Sequence, residues 1–550
     1  MSTSKTFHLW QKPIRLSTFI LVFSIWLTLS LNFIFFQKLY ALTPYGGLPA
    51  LGFIVVMVIV LIAYFNLIFN LLMWRPTAKF FAIFFLLIGG AASYVNSLGV
   101  GIDAYQIQNL VETDPREALD LMSSQVLLWV VALLAVPLMF FLPINIRKDN
   151  ISTTIKSKLI MLVVSFAVIA SGAFMYYADL AAIFREHRDL KSFISPQNVV
   201  ASSWSYYKKL QPKKNLPLVA YGVDAHQVKT ASQTTPKLLV LVVGETARAE
   251  SFSLNGYARN TNPELSKLPI INFSQVSSCG TSTAVSVPCM FSGMQRADYD
   301  AKLARHRENL LDILQRAGYK VTWIDNNSGC KEVCNRVEQY QPSKALQAKW
   351  CKDGECYDEI LNDTLKEYVS QIPADDRQPR VIIMHQMGSH GPAYFKRSTS
   401  PYQYFKPFCH SNAIQGCSHQ ELINVYDNSI AYTDHVLAQT IDTLAQFKQY
   451  QTAMWYLSDH GESTGEHGLY LHGAPYMMAP SQQTHVPMIL WFSPTWQAEH
   501  AQDVQCLNRI KQQALSQDYL FSTVMSLLHV DTQVKSKQYD LLQQCQQVNA

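Results

Sequence analysis

Charge is scarce in this chain, and cysteine is missing from its first half. Only 15% of the 550 residues are Asp, Glu, Lys or Arg, where about a quarter is usual in soluble domains, while 49% are hydrophobic. There is no long basic run and the net charge is only +5. That excludes a nucleic-acid binder, whose electrostatic footprint needs clustered cations. Intrinsic disorder is excluded by 12% aromatic residues. No cysteine precedes Cys279, so the two halves belong to different environments.

Interior charge is absent altogether from five apolar runs, at about 16–36, 48–74, 80–100, 123–142 and 159–177. Each has the length of a helix crossing a hydrocarbon core of about 30 Å, where a central charge would cost about 2.5–3.5 kcal/mol. They predict a five-helix transmembrane domain over residues 1–184. Lys5, Lys12, Arg15, Arg75, Lys79, Arg147, Lys148, Lys156 and Lys158 fall on one side, and only Lys38 and Arg116 in short loops on the other. Nine against two puts the N-terminus in the cytoplasm, and an odd number of spans sends the rest of the chain outside.

Disulfides persist there, and the spacings favour local pairs: Cys279–Cys289, Cys330–Cys334, Cys351–Cys356 and Cys409–Cys417, leaving Cys506–Cys545. A zinc site of Cys330, Cys334, Cys351 and Cys356 is the competing arrangement, against which oxidising surroundings argue. In the third loop, Asp114-Pro115-Arg116-Glu117 has the form of a helix start with Glu117 as capping-box partner. Residues 185–236 read as a bridging helix at the membrane surface followed by a polar linker.

Over 237–550, apolar strand-like runs at 238–243, 320–324, 381–385, 453–457 and 487–492 alternate with helical patterns near 307–317, 357–370 and 420–447. Continuous apolar strands between helices predict a mostly parallel sheet covered on both faces, with ligands beyond the strands' carboxyl ends. Those ends are polar: Gly244-Glu245-Thr246, Gly388-Ser389-His390-Gly391 and Ser458-Asp459-His460-Gly461-Glu462. Asp459, His460 and Glu245 mix carboxylate oxygen with imidazole nitrogen, a set that suits zinc. The hydroxyl-rich stretch Cys279-Gly280-Thr281-Ser282-Thr283 offers a nucleophile that a divalent metal could activate.

These stretches, with Asn255-Gly256-Tyr257, Asp325-Asn326-Asn327-Ser328-Gly329 and His385-Gln386-Met387-Gly388-Ser389-His390, resemble the motifs of the membrane-anchored lipid A phosphoethanolamine transferases, in order. The resemblance implies an alkaline phosphatase/sulfatase-like catalytic domain in the periplasm and an anchor in a bacterial inner membrane. It implies Thr283 as nucleophile and one tightly bound zinc on Glu245, Thr283, Asp459 and His460, with room for a second beside His390 and His472. Ser328, Lys331, His390 and His472 would contact the phosphoethanolamine group, with His390 or His472 as proton donor. Asn109, Thr113 and Glu117 would receive the donor head group. The implied reaction takes phosphoethanolamine from phosphatidylethanolamine to lipid A through a phosphothreonine, as in polymyxin resistance. The expected enzyme is a membrane-embedded monomer. The alternatives are a core-sugar or glycan acceptor, or a non-catalytic receptor. A sulfatase is disfavoured, because Ser286-Val287-Pro288-Cys289-Met290 lacks the Arg that formylglycine formation needs.

Overall fold

The computed structural model describes residues 12–112, 128–129, 131–210, 217–228, 235–352, 354–412 and 414–547. The chain divides into two compact units that change over at residues 212–213. The bridge expected over 185–236 is therefore shared. Helix Gln197–Leu210 belongs to the first unit, and residues from 217 onward belong to the second.

The first unit is helical. Its first apolar run is broken into α1 (Leu16–Leu31) and α2 (Phe33–Leu42), which bend by 64° at Asn32. The Asn32 amide donates to Leu27 O at 3.1 Å and Ser195 O at 2.9 Å, and accepts from Ser195 N. A side chain that bonds backbone groups in this way ends a helix. The next two runs form α3 (Gly47–Leu72) and α4 (Ala78–Ser97). The fourth run lies partly outside the described residues and is helical over Val131–Phe141. The fifth run forms α5 (Ile151–Met175), which starts earlier than its apolar pattern because the Asn150 side chain caps it, accepting from Thr153 N. Lys158 thereby falls inside the helix, with its ammonium on Met73 O at 2.6 Å and over the Trp74 ring. By length and composition α3 and α5 can each cross a membrane, and the bent pair α1–α2 would make a third.

The second unit is built on an eight-stranded sheet: β1 (Lys237–Gly244), β2 (Ile271–Ser277), β3 (Lys320–Asp325), β4 (Glu338–Tyr340), β5 (Arg380–His385), β6 (Gln451–Ser458), β7 (His485–Phe492) and β8 (Leu515–Ser516). Their spatial order is β8-β2-β7-β6-β1-β5-β3-β4. The sheet is mixed. β7 runs antiparallel to both β2 and β6, while the other pairings are parallel. Pro487 in β7 offers no N–H, and the register with β2 shifts between Val486 and Met488. On β1, Leu239, Leu241 and Val243 enter one apolar cluster and Leu238, Val240 and Val242 the other. Both faces are thus buried, which is why the run reads as continuous rather than alternating.

Three helices matter for the site: α6 (Thr283–Ser292), α7 (Glu359–Ser370) and α8 (His419–Gln446). A capping box of Ser418 and Glu421 starts α8. Five disulfides lie in this unit, pairing Cys279–Cys289, Cys330–Cys334, Cys351–Cys356, Cys409–Cys417 and Cys506–Cys545. The four cysteines of the competing zinc arrangement are therefore bonded in two pairs.

Candidate metal centre

Four parallel neighbours, β6, β1, β5 and β3, end at the same edge of the sheet, and their following loops meet there. Glu245 follows β1, and Asp459 and His460 follow β6; all three are fully buried. One ligand atom from each lies within 4.8 Å of the others. Across the sheet, Thr283 opens α6, whose first-turn amides and dipole favour a phosphate. Its hydroxyl is 3.2 and 3.1 Å from the two Glu245 oxygens and 3.4 Å from His460 Nε2.

The loops are held at close range. Ser389 N donates to Glu245 O at 3.0 Å, and Gly388 has φ +55°, with space for no Cβ because Glu245 O would lie 2.4 Å from it. Thr246, at φ 58°, donates from its N–H to Asp459 Oδ1 and from its hydroxyl to Glu245 Oε1. The nucleophile turn is cross-linked by Cys279–Cys289, and Thr281 bonds Ala474 O and Gly473 N in the loop after His472.

The donor set fits a zinc ion. His460 Nδ1 faces Gly461 O at 2.9 Å, which fixes the proton there and leaves Nε2 as a lone-pair donor. Asp459 Oδ2 is buried, faces His460 Nε2 at 3.4 Å and has no hydrogen-bond partner among the described residues. Burial disfavours charge on His460, yet Asp459 and Glu245 outweigh it and raise His460 to about 10. Burial and then the Glu245 charge raise Asp459 to about 6, while contacts to His460 hold Glu245 well below the carboxylate range despite its burial. The His460 imidazolium is thus itself the cation between the two carboxylates; a divalent cation would take the place of its Nε2 proton and compensate both carboxylates.

The substrate residues expected in this unit fall around the same edge. The His472 ring is 4.4 Å from that of His460 and 5.4 Å from that of His390. Lys331 Nζ donates to Ser328 Oγ at 3.0 Å, Ser328 Oγ donates to Asn327 Oδ1, and Asn327 Nδ2 donates to Glu245 Oε2 at 2.9 Å. Asn109 is on helix Ala104–Glu112 of the other unit, and Thr113 and Glu117 lie outside the described residues. Two contributors were not singled out by sequence. Asn327 orients Glu245, and Glu462 is a fully buried carboxylate 3.3 Å from His472 Nδ1. Both lie inside motifs quoted above, which was the available signal.

Comparison with known proteins covers both units. Residues 237–530 match the sulfatase family, and residues 61–210 match the family described as phosphoethanolamine transferase EptA/EptB. Phosphoethanolamine transferase EptA of Escherichia coli (strain K12) is 39% identical over 549 residues, covering 98% of this chain and 99% of its own. Phosphatidylethanolamine transferase Mcr-1 of Escherichia coli is 36% identical, covering 86% and 90%. The structure of the integral membrane protein lipooligosaccharide phosphoethanolamine transferase A (EptA) from Neisseria meningitidis superposes with a TM-score of 0.92 at 36% identity, covering 97% and 99%. With such identity sustained along nearly its whole length, the chain belongs to the EptA family of phosphoethanolamine transferases.

Proposed function

We propose that this enzyme moves phosphoethanolamine from phosphatidylethanolamine to a lipid A phosphate through a phosphothreonine on Thr283, releasing diacylglycerol. Support comes from one arrangement above all: the Thr283 hydroxyl at a helix N-terminus, 3.1–3.4 Å from Glu245 and His460. Glu245, Asp459 and His460 would hold zinc with Thr283, and the ion supplies Lewis-acid stabilisation of the charge gathering on the nucleophile and the phosphoryl oxygens. The threonine oxygen attacks phosphorus and the bond to the diacylglycerol oxygen breaks. His390 or His472 gives that oxygen its proton, and a second zinc, where one binds, would sit on the same side. Lys331 and Ser328 bind the phosphate. Asn109, Thr113 and Glu117 receive the head group, the Glu117 carboxylate pairing with the ethanolamine ammonium. A lipid A phosphate then attacks the phosphothreonine and restores the hydroxyl. Each transfer adds an ammonium at the surface and offsets a negative charge, the basis of polymyxin resistance.

Both substrates are lipids, which fits five spans, an N-terminus in the cytoplasm and a periplasmic catalytic unit in a bacterial inner membrane, acting as a monomer. Mcr-1 is named for the phosphatidylethanolamine donor and the Neisseria protein for a lipooligosaccharide acceptor. The test is mass spectrometry of lipid A from cells expressing wild type or Thr283→Ala. Wild type should add phosphoethanolamine to a lipid A phosphate, and Thr283→Ala should add none while still binding zinc. Near-normal modification by the variant would overturn the nucleophile. Addition to core sugar would move the acceptor.

A further inference from the structure

The turn that carries Thr283 and the strand end that carries Asp459 and His460 are not neighbours in the sheet, because β7 lies between β2 and β6. One side chain nevertheless joins them. Gln517 follows the edge strand β8 and is 1% exposed. Its backbone N–H donates to Ser277 O at 2.9 Å, extending the β2–β8 ladder. Its side chain then reaches inward. Oε1 accepts from Cys279 N at 2.7 Å, four residues before Thr283. Nε2 donates to Ser458 O and to Asp459 O, both at 2.7 Å.

The chemistry of that triple contact demands an amide. One end must accept from an N–H and the other must donate twice to carbonyls, and a glutamine supplies both on one rigid plane. A carboxylate of the same shape would set an oxygen against two carbonyl oxygens. A methionine would leave three buried backbone groups unpaired. The far side of the bridge is itself tied into the site, since Ser458 Oγ accepts from Ala247 N and donates to His460 O. A shift at Gln517 therefore moves the metal-bearing loop relative to the nucleophile.

We infer that Gln517 is a positioning residue, which sets the separation between the Thr283 hydroxyl and the Asp459–His460 ligand pair by holding both loops on one amide. This rests on the function proposed above. Reacting groups displaced by about 1 Å lose on the order of a hundredfold in rate, so the bridge acts on turnover. It touches neither substrate site nor ion, so binding of the donor is left nearly alone.

The experiment uses the full-length chain in detergent or nanodiscs with saturating zinc. Gln517→Glu and the neutral, similarly shaped Gln517→Met are compared with wild type, and rates are normalised to folded protein by its melting transition. Either variant that folds should lose at least fivefold in kcat with KM within threefold. A smaller loss, or one confined to KM, overturns the inference, because a purely structural contact would lower the melting temperature and leave kcat of the folded fraction intact. Wild type that binds zinc yet transfers nothing would instead overturn the proposed function. The bridge would then be read from zinc release to a chelator, which Gln517→Met should speed fivefold or more if the inference holds and leave unchanged if it does not.

Discussion

At the scale of single residues, the candidate metal centre depends on groups that are not themselves in its ligand set. Asn327 uses one N–H on Glu245 Oε2 and the other on Gln386 O, and so fixes which way the carboxylate faces. Removing a partner of this kind costs about 10–100-fold in metal affinity. Asn327→Leu should therefore weaken zinc binding by that order in a chelator-competition titration, with the melting temperature of the zinc-saturated protein little changed; unaltered affinity would deny Asn327 this role. Glu245, Asp459 and His460 stood out in the sequence because each follows an apolar strand-like run, whereas Thr283 was singled out of its hydroxyl-rich stretch only by the family resemblance. Asn327 and Gln517 were not assigned, since their roles come from contacts between separate strand ends that no spacing encodes, and Glu462 was not assigned because its partner His472 is brought to it only by the folding of the loop after β6. Arg248 illustrates the same limit. It is almost fully buried, is stacked on Tyr426, and meets Glu466 at 2.7 Å from over two hundred residues away in sequence.

At the scale of elements, strands buried on both faces announce themselves, and short or half-exposed strands do not. β1, β3, β5, β6 and β7 were all read within a residue or two of their bounds, whereas β2, β4 and β8 were missed. β2 exposes residues of one face, β4 has three residues and β8 has two. The missed strands carry the nucleophile turn and Gln517, so the part of the sheet hardest to read is the part that aligns the site. The helices on one face carry a second consequence. Burial, reinforced by Asp358 and Asp363, raises Glu359 at the start of α7 to about 7, and burial raises Asp434 on α8 to about 7. A carboxyl whose folded value lies above its unfolded value binds more protons when folded, so its stabilisation is present at low pH and is lost as pH rises towards 7. The melting temperature of the catalytic unit should accordingly fall between about pH 5 and 7, and Glu359→Gln with Asp434→Asn should flatten that fall. An unchanged slope in scanning calorimetry would deny these two groups the effect.

At the scale of the whole molecule, the asymmetries of the sequence have separate causes. The apolar excess lies in the helical N-terminal unit, and all five disulfides lie in the catalytic unit. The bend at Asn32 was not legible, because composition marks an apolar run and not the single buried amide that interrupts it. The distribution of Lys and Arg gives an orientation that a C-terminal fusion can check. A reporter active only outside the cytoplasm should be active after residue 550 and silent when fused after Lys79; the reverse pattern would invert the topology. The Gln517 bridge also bears on how much of the unit the centre needs. Ligands, nucleophile and bridge are spread from Glu245 to Gln517, across strands from both halves of the sheet. The centre is therefore a product of the assembled sheet, and no shorter stretch of this unit carries ligands, nucleophile and bridge together.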